Sequence, residues 1–443
     1  MKKIVASVGL VAIAASSLQT GLSQGVTPAS NKPWNIFASL RGFYDDNIST
    51  VPNGLNKESS LGLQISPGAS VTWQDELTSL TASYIYTYRY YEEKPINSTG
   101  HYDQDHNFSL QLTHAFSERY AVAVSDSFVV GQEPELLRTA YNISDPQRIP
   151  GDNIRNYGDI TFSARMTPVL NLQLGYANSY YNYDDEGATI LPFTGNNVIP
   201  SYSGSLDRLE HAGRLNVRWQ TSPKTVGLVG YRFGLVDYTG DELISQFAIA
   251  GIPIPGTQQT SDSRNYRAHT GYLGVEHKFS PDFTGALQAG ASYYDYFNSE
   301  VNEQNWSPYL MGNLRYNYRP GSFIEGGMSI DRHPTDLIAP ASAAESGDVT
   351  RDQQAFTIYA SVKHQFTPDL YGRLMGQFQD SMFIGGAYDS DMELYYMVGV
   401  NLEYRFNAYL SAEIGYNYDK VDSDVGTRTY SRNRVYIGVK ASY

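Results

Sequence analysis

The chain has 443 residues, a formal charge of −14 and no cysteine, which excludes a disulfide framework, a thiolate metal site, a cysteine nucleophile and a lipid-anchored N-terminal Cys. Its acidity, with no basic cluster set against it, excludes a nucleic-acid partner. The mean hydropathy is −0.39, and no internal run reaches the roughly 18 to 20 apolar residues that a membrane-spanning helix needs, so a helical membrane protein is excluded as well.

At the N-terminus, Lys2 and Lys3 precede an apolar run from Ile4 to Ala15 and then small and polar residues through Ser16, Ser17, Gly21 and Ser23. This is the layout of a secretory signal. The expected division is a signal peptide over 1–24, a short linker over 25–33 and one body over 34–443. A Gly-x-Ser-x-Gly string at 21–25 falls in the cleavage region rather than on a strand-to-helix turn, and reads as chance.

From Trp34 onward the chain alternates with period two. Trp34, Ile36, Ala38 and Leu40 share one face, opposite a polar face on which Phe37 is the exception. Leu61, Leu63, Ile65, Pro67, Ala69, Val71 and Trp73 alternate against polar or small residues without a miss. Later runs, such as Phe356 to Phe366 and Leu394 to Tyr404, repeat the pattern, which predicts strands with an apolar side and a wet side. Tyr120, Val122 and Val124 lead to Asp126 on the apolar side, where a carboxylate is costly. A bulge or a shifted register is expected there.

A short turn recurs after Trp73, His114, Met166, Trp219, His277, Tyr316, His364 and Tyr404. Long loops rich in Pro, Gly, Asn and Asp separate the copies. Eight hairpins, with one run before and one after, predict eighteen strands in an all-β, up-and-down antiparallel barrel. The short turns are expected to be periplasmic and the long loops extracellular. A sandwich is the weaker reading, because alternations of about 10 to 14 residues exceed ordinary sandwich strands of about five or six and suit tilted transmembrane strands. Eighteen strands enclose more than side chains can fill, which predicts a lumen. Two apolar loop stretches, Ile190 to Pro200 and Phe247 to Pro255, are candidates for a constriction, or for packing over the rim or on a neighbouring subunit.

Aromatic residues cluster at the two ends of the apolar face. Trp73, Phe116, Trp219, Phe279, Tyr316, Phe366, Tyr404 and Phe406 form the expected periplasmic girdle, and Tyr84, Tyr86, Tyr88, Tyr90, Tyr180, Tyr293, Tyr416 and Tyr418 a second belt. His114, His277 and His364 recur in the turns, but they fall on strands too far apart for a metal site, so no metal and no cofactor is expected. Acidic loop clusters such as Asp184, Asp185 and Glu186 lack full calcium-loop spacing and read as solvated. The charges expected to line the lumen are Arg41, Arg165, Arg214, Arg218, Arg232, Arg315, Lys363, Arg373, Arg405 and Arg434, with Glu210, Glu276, Glu393, Glu403 and Glu413. Their basic excess predicts mild anion selectivity unless local ion pairs cancel it. Tyr359, Tyr371 and Tyr395 could form a stacking path for sugars.

The signal peptide, the Ser39-to-Asn47 strand, the Ser-Pro-Gly run at 66–68, the repeated His-x-Phe-Ser/Thr-Pro-Asp turns and the aromatic C-terminus together resemble the β-barrel porin families of Gram-negative-type outer membranes. The resemblance implies a non-enzymatic outer-membrane channel for passive diffusion of small hydrophilic solutes. The expected partners are membrane lipid, lipopolysaccharide, small solutes and, through Gly438 and Tyr443, the barrel-assembly machinery; a homo-oligomer is open. The alternative function is a structural or export-linked barrel, for example an exopolysaccharide outlet, closed without a partner.

Overall fold

A computed structural model describes residues 32–94, 100–132, 151–185, 187–192, 195–298, 305–338, 349–426 and 428–443. The expected signal peptide and most of the linker therefore lie outside the described residues. Eighteen long strands form one sheet: β1 Trp34–Asp45, β2 Ser60–Gln74, β3 Thr78–Tyr91, β4 Tyr102–Ala115, β5 Tyr120–Gly131, β6 Asn153–Arg165, β7 Leu170–Tyr183, β8 Arg208–Ser222 and β9 Thr225–Tyr238, followed by β10 Tyr266–Ser280, β11 Phe283–Asp295, β12 Asn305–Arg319, β13 Ser322–Pro334, β14 Asp352–Gln365, β15 Leu370–Ile384, β16 Met392–Arg405, β17 Leu410–Ser423 and β18 Tyr430–Ser442. Each pairs antiparallel with its chain neighbour, and β1 pairs with β18, so the sheet closes and has no free edge. Closure satisfies every strand's backbone groups, the condition for a sheet to cross hydrocarbon.

The period-two pattern decides which way each side chain points. Leu273, Ile437, Leu61 and Val229 stand on the outer face, each more than half exposed, whereas Thr270, Ser292, Ser411 and Gln353 on the opposite face are buried. Phe37, the exception in the first strand, lies on the inner face against Gly68, where a Cβ would meet its ring at 2.5 Å. In the barrel sheet, register shifts lie at hairpin ends, Gln220/Ser222, Lys278/Ser280 and Tyr316/Arg319, where bulges re-aim the turn.

Asp126 is not accommodated by a bulge or a register change. Leu110, Asp126 and Gly158 are continuous partners across β4, β5 and β6, so the carboxylate sits on the outer face in an unbroken ladder.

The seam between the first and last strands is held at both ends. Tyr443 and Ile36 exchange backbone hydrogen bonds of 2.8 and 3.1 Å. At the other end Arg432 Nε donates to both Asp45 oxygens, at 2.9 and 3.1 Å, with both side chains almost fully buried.

Candidate functional site

The inner wall carries a lattice of ion pairs, within strands, across one or two strands and, for Arg232 with Asp331, from β9 to β13. Arg41 Nε donates to Glu413 at 2.6 Å, and Lys440 Nζ lies 2.9 Å from the same carboxylate. Arg315 pairs with Glu325 at 2.6 Å and Arg232 with Asp331 at 2.6 Å. Arg214 pairs with Asp159 and Arg218 with Glu276. Arg208 pairs with Glu210 at 2.7 Å, and Arg434 lies 3.9 Å from Asp419.

Several of these pairs skip a strand. Arg41, Gly438 and Glu413 are aligned on β1, β18 and β17, and a Cβ on Gly438 would stand 2.6 Å from Arg41 Cγ. The glycine is what lets the arginine lie across its neighbour. By the same device Tyr272 crosses Gly230 to donate to Asn216 at 2.7 Å, and Tyr436 crosses Gly415 to accept from Asn401 at 3.0 Å.

The predicted charges Arg41, Arg214, Arg218, Arg232, Arg315, Arg434, Glu210, Glu276 and Glu413 thus fall on one inner face. Lys363 and Arg373 stand directly opposite one another on β14 and β15, and Arg405 lies over the Tyr371 ring at 4.3 Å and 3.5 Å from Glu403. Arg165 keeps the inner parity at the exposed periplasmic end of β6. Glu393 is buried at the extracellular end, bonded to Arg428 at 2.8 Å.

Sequence reasoning missed Asp103, Asp105 and Asp331 as inner carboxylates, although each keeps the inner parity of its strand. It placed most of the tyrosine excess in the outer belts and only Tyr359, Tyr371 and Tyr395 in the lumen. A third tyrosine set fills the inner wall near the long loops. Tyr181, Tyr238, Tyr294 and Tyr296 are at most 3% exposed, and arginines lie over them: Arg208 over Tyr181 at 3.9 Å, Arg264 over Tyr238 at 4.5 Å and Arg332 over Tyr294 at 4.9 Å. Tyr395, expected on an open path, is 2% exposed in a cluster with Met397, Val421 and Tyr430, so the three-tyrosine path is not continuous.

The mouth is bridged by loops. The two apolar stretches pair with each other, Phe247 with Asn196 and Ala248 with Gly195, burying Ala248 and Val198 while Ile249 and Ile252 stay exposed. They build a cap together, and neither acts alone as the inserted loop. The part that joins across the mouth is Arg264. Fully buried, it donates to the carbonyls of Ser205 at 2.9 Å, Arg351 at 3.4 Å and Thr335, which belong to two other connections, β7 to β8 and β13 to β14. Beside Thr335, Asp336 takes a 2.7 Å bond from Arg428, which also holds Glu393. The loops after β7, β9, β13 and β17 are thereby linked in one chain of contacts.

One end of the bridge titrates. A five-residue helix, Tyr202–Leu206, is capped by the Ser201 side chain at its start and followed by Asp207. Asp207 accepts from the Tyr183 backbone amide at 2.7 Å and from Asn182 at 3.0 Å. Burial pushes its carboxyl from the usual 3.8 up to about 7, against the lowering effect of those two bonds. A raised folded-state value means that the stability it contributes is complete below about pH 4 and is lost as pH rises towards 7. Protection of the amides over 201–207, taken relative to the intrinsic exchange rate at each pH, should therefore be lower at pH 8 than at pH 5, and Asp207→Asn should abolish that difference; an unchanged difference would exclude Asp207 as its source.

On the outer face the predicted girdle residues Trp73, Phe116, Trp219, Phe279, Tyr316, Phe366, Tyr404 and Phe406 are all well exposed around the short-turn end. The turn histidines belong to the same belt. His114 and His277 contact Thr78 and Thr225 hydroxyls at 2.8 and 2.9 Å, and His364 contacts Tyr318 at 2.7 Å. Each packs edge-on against the Phe two residues later.

A closed, even-numbered antiparallel barrel, with an apolar outer wall, short turns at one end and long loops at the other, defines the class: a transmembrane β-barrel of the outer-membrane type. Residues 338–443, covering β14 to β18, match the family model described as "Putative beta-barrel porin 2". No curated protein matches the chain. Among solved structures it is similar to OpdK of Pseudomonas aeruginosa with vanillate (10% identity, TM-score 0.46, 93% of this chain and 99% of that one). It is also similar to a BenF-like porin of Pseudomonas fluorescens Pf-5 (10%, 0.45, 93% and 99%) and to OccAB4 of Acinetobacter baumannii (12%, 0.42, 94% and 100%).

Proposed function

We propose that the protein is an outer-membrane channel for passive diffusion of small hydrophilic solutes and ions, with a mild preference for anions. The observation that carries the reading is the inner wall, which is polar and charged over the full height of a barrel too wide for its side chains to fill. The class of fold points to a channel and not to a catalyst.

The anion preference rests on where the charges lie. Ion pairing absorbs much of the basic excess, and towards the loops Asp45, Asp331, Glu393 and Asp419 stand with Arg432 and Arg434, but away from the loop ends the wall between β12 and β1 carries Arg41, Arg315, Lys363, Arg373, Arg405 and Lys440 against Glu325, Glu403 and Glu413. Like charges placed opposite one another on paired strands are unfavourable for the fold, and Lys363 facing Arg373 suits passing anions. In planar bilayers under a KCl gradient the reversal potential should lie on the anion side, and Lys363→Glu with Arg373→Glu should move it towards cations. A cation-selective wild type would refute the preference.

A second reading, an export-linked barrel closed without a partner, is favoured by the arginine bridge across the mouth. It predicts no conductance from the purified protein. Gly438 and Tyr443 present the last strand to the barrel-assembly machinery; the Tyr443 ring is exposed at the short-turn end, its centroid 6.0 Å from that of Trp34.

A further inference from the structure

Asp126 lies six residues along β5 from the short turn, midway along the strand and on the outer face between Leu110 and Gly158. It is the head of a polar chain. Its carboxylate accepts from Asn156 Nδ2 at 3.0 Å, and Asn156 accepts from Asn178 Nδ2 at 3.3 Å. One strand on, the Tyr176 hydroxyl and His211 Nδ1 are 2.7 Å apart.

Directly beside this chain the outer wall has a depression of about 490 Å³, lined by Phe162, Leu174, Tyr231 and Phe233. Gly213 lies at its floor, where a Cβ would meet nothing within 4 Å.

Acyl chains offer neither donors nor acceptors, and a carboxylate with a single amide neighbour is under-solvated at this depth. An ionised carboxylate has about four acceptor positions, and one internal bond leaves most of them open. What suits the face is another protein wall that brings polar groups to the same depth and a side chain to fill the depression.

We propose that the outer face of β5 to β9 is the contact between this barrel and a second copy of the same chain. Copies related by an axis along the membrane normal share their depth, so each group meets its counterpart's level. The face is self-complementary in chemistry: Asp126 supplies an acceptor, while Asn178, eight residues along β7 from its turn, and the His211 ring supply donors. A lipid headgroup fits less well, because Asp126 lies at mid-strand and adds a negative charge where a phosphate would have to bind.

The test uses the full mature barrel, with a photoreactive benzoylphenylalanine at Leu174 in cells and the native mass in mild detergent. The wild type should have a mass that is a multiple of the single barrel and give a crosslinked product of two chains. Asp126→Leu combined with Asn178→Leu, which suits lipid better than the native pair, should retain the heat-modifiable folded band yet lose the crosslink at least tenfold. Gly213→Trp, which fills the depression and leaves Asp126, Asn156 and Asn178 in place, should do the same. A monomeric wild type, crosslinks only to lipopolysaccharide, or an oligomer unchanged in both variants would overturn the proposal.

Discussion

Arg264→Met should raise the single-channel conductance of the purified barrel roughly twofold or more, because the width of a constriction sets the current through it. Methionine keeps the length of the side chain but removes every donor, so the carbonyls of Ser205, Thr335 and Arg351 lose their common partner. Each buried acceptor left without its donor costs about 1–3 kcal/mol, and the loops can recover that cost only by turning outward to water. The barrel wall does not depend on the contact, so the folded band on unheated gels should persist. Conductance equal to wild type, measured in the same bilayer, would show that the bridge does not limit the pore. Opening seen only in Arg264→Met, with a silent wild type, would favour the partner-gated reading.

Asp45→Ala should give the largest loss of stability available from one substitution at the seam. Arg432 would keep its buried position between β1 and β18 while losing the bidentate carboxylate, and breaking one partner of a buried pair costs about 3–5 kcal/mol. The readout is the urea midpoint of the folded band, with the temperature at which that band converts to the unfolded one. The matched control is Asp422→Ala, whose partner Lys420 is a solvent-facing pair at 2.8 Å. It should leave the midpoint where it is. Equal midpoints for wild type and Asp45→Ala would show that the seam is held by its backbone ladder alone.

Much of the architecture could be read from residue order because strand alternation and turn chemistry are local. The run through Leu61, Leu63 and Ile65 specifies a strand with one lipid face wherever it is placed, and the repeated turns order the hairpins. The same locality explains the partial success with the candidate site. Parity alone places Arg214, Arg218 and Glu276 on the inner face, but pairing Arg218 with Glu276 needs the third strand brought alongside. Asp331 and Asp103 keep inner parity too, and were passed over because they lie near strand ends, where loop and strand look alike in sequence. Arg264 carried no signal at all: nothing in Ser-Asp-Ser-Arg at 261–264 says that its partners are carbonyls at 205, 335 and 351.

By itself the sequence determined the class of fold, the eighteen strands, which end bears the long loops, and the face on which each side chain lies, since all of these follow from period-two patterning and from where turns interrupt it. The tertiary structure alone decided the ion-pair lattice, the tyrosines buried under arginines, the loop bridge at the mouth and the true setting of Asp126. Those depend on strand register, loop path and closure of β1 on β18, which are set by contacts between residues tens to hundreds of positions apart that leave no periodic trace along the chain.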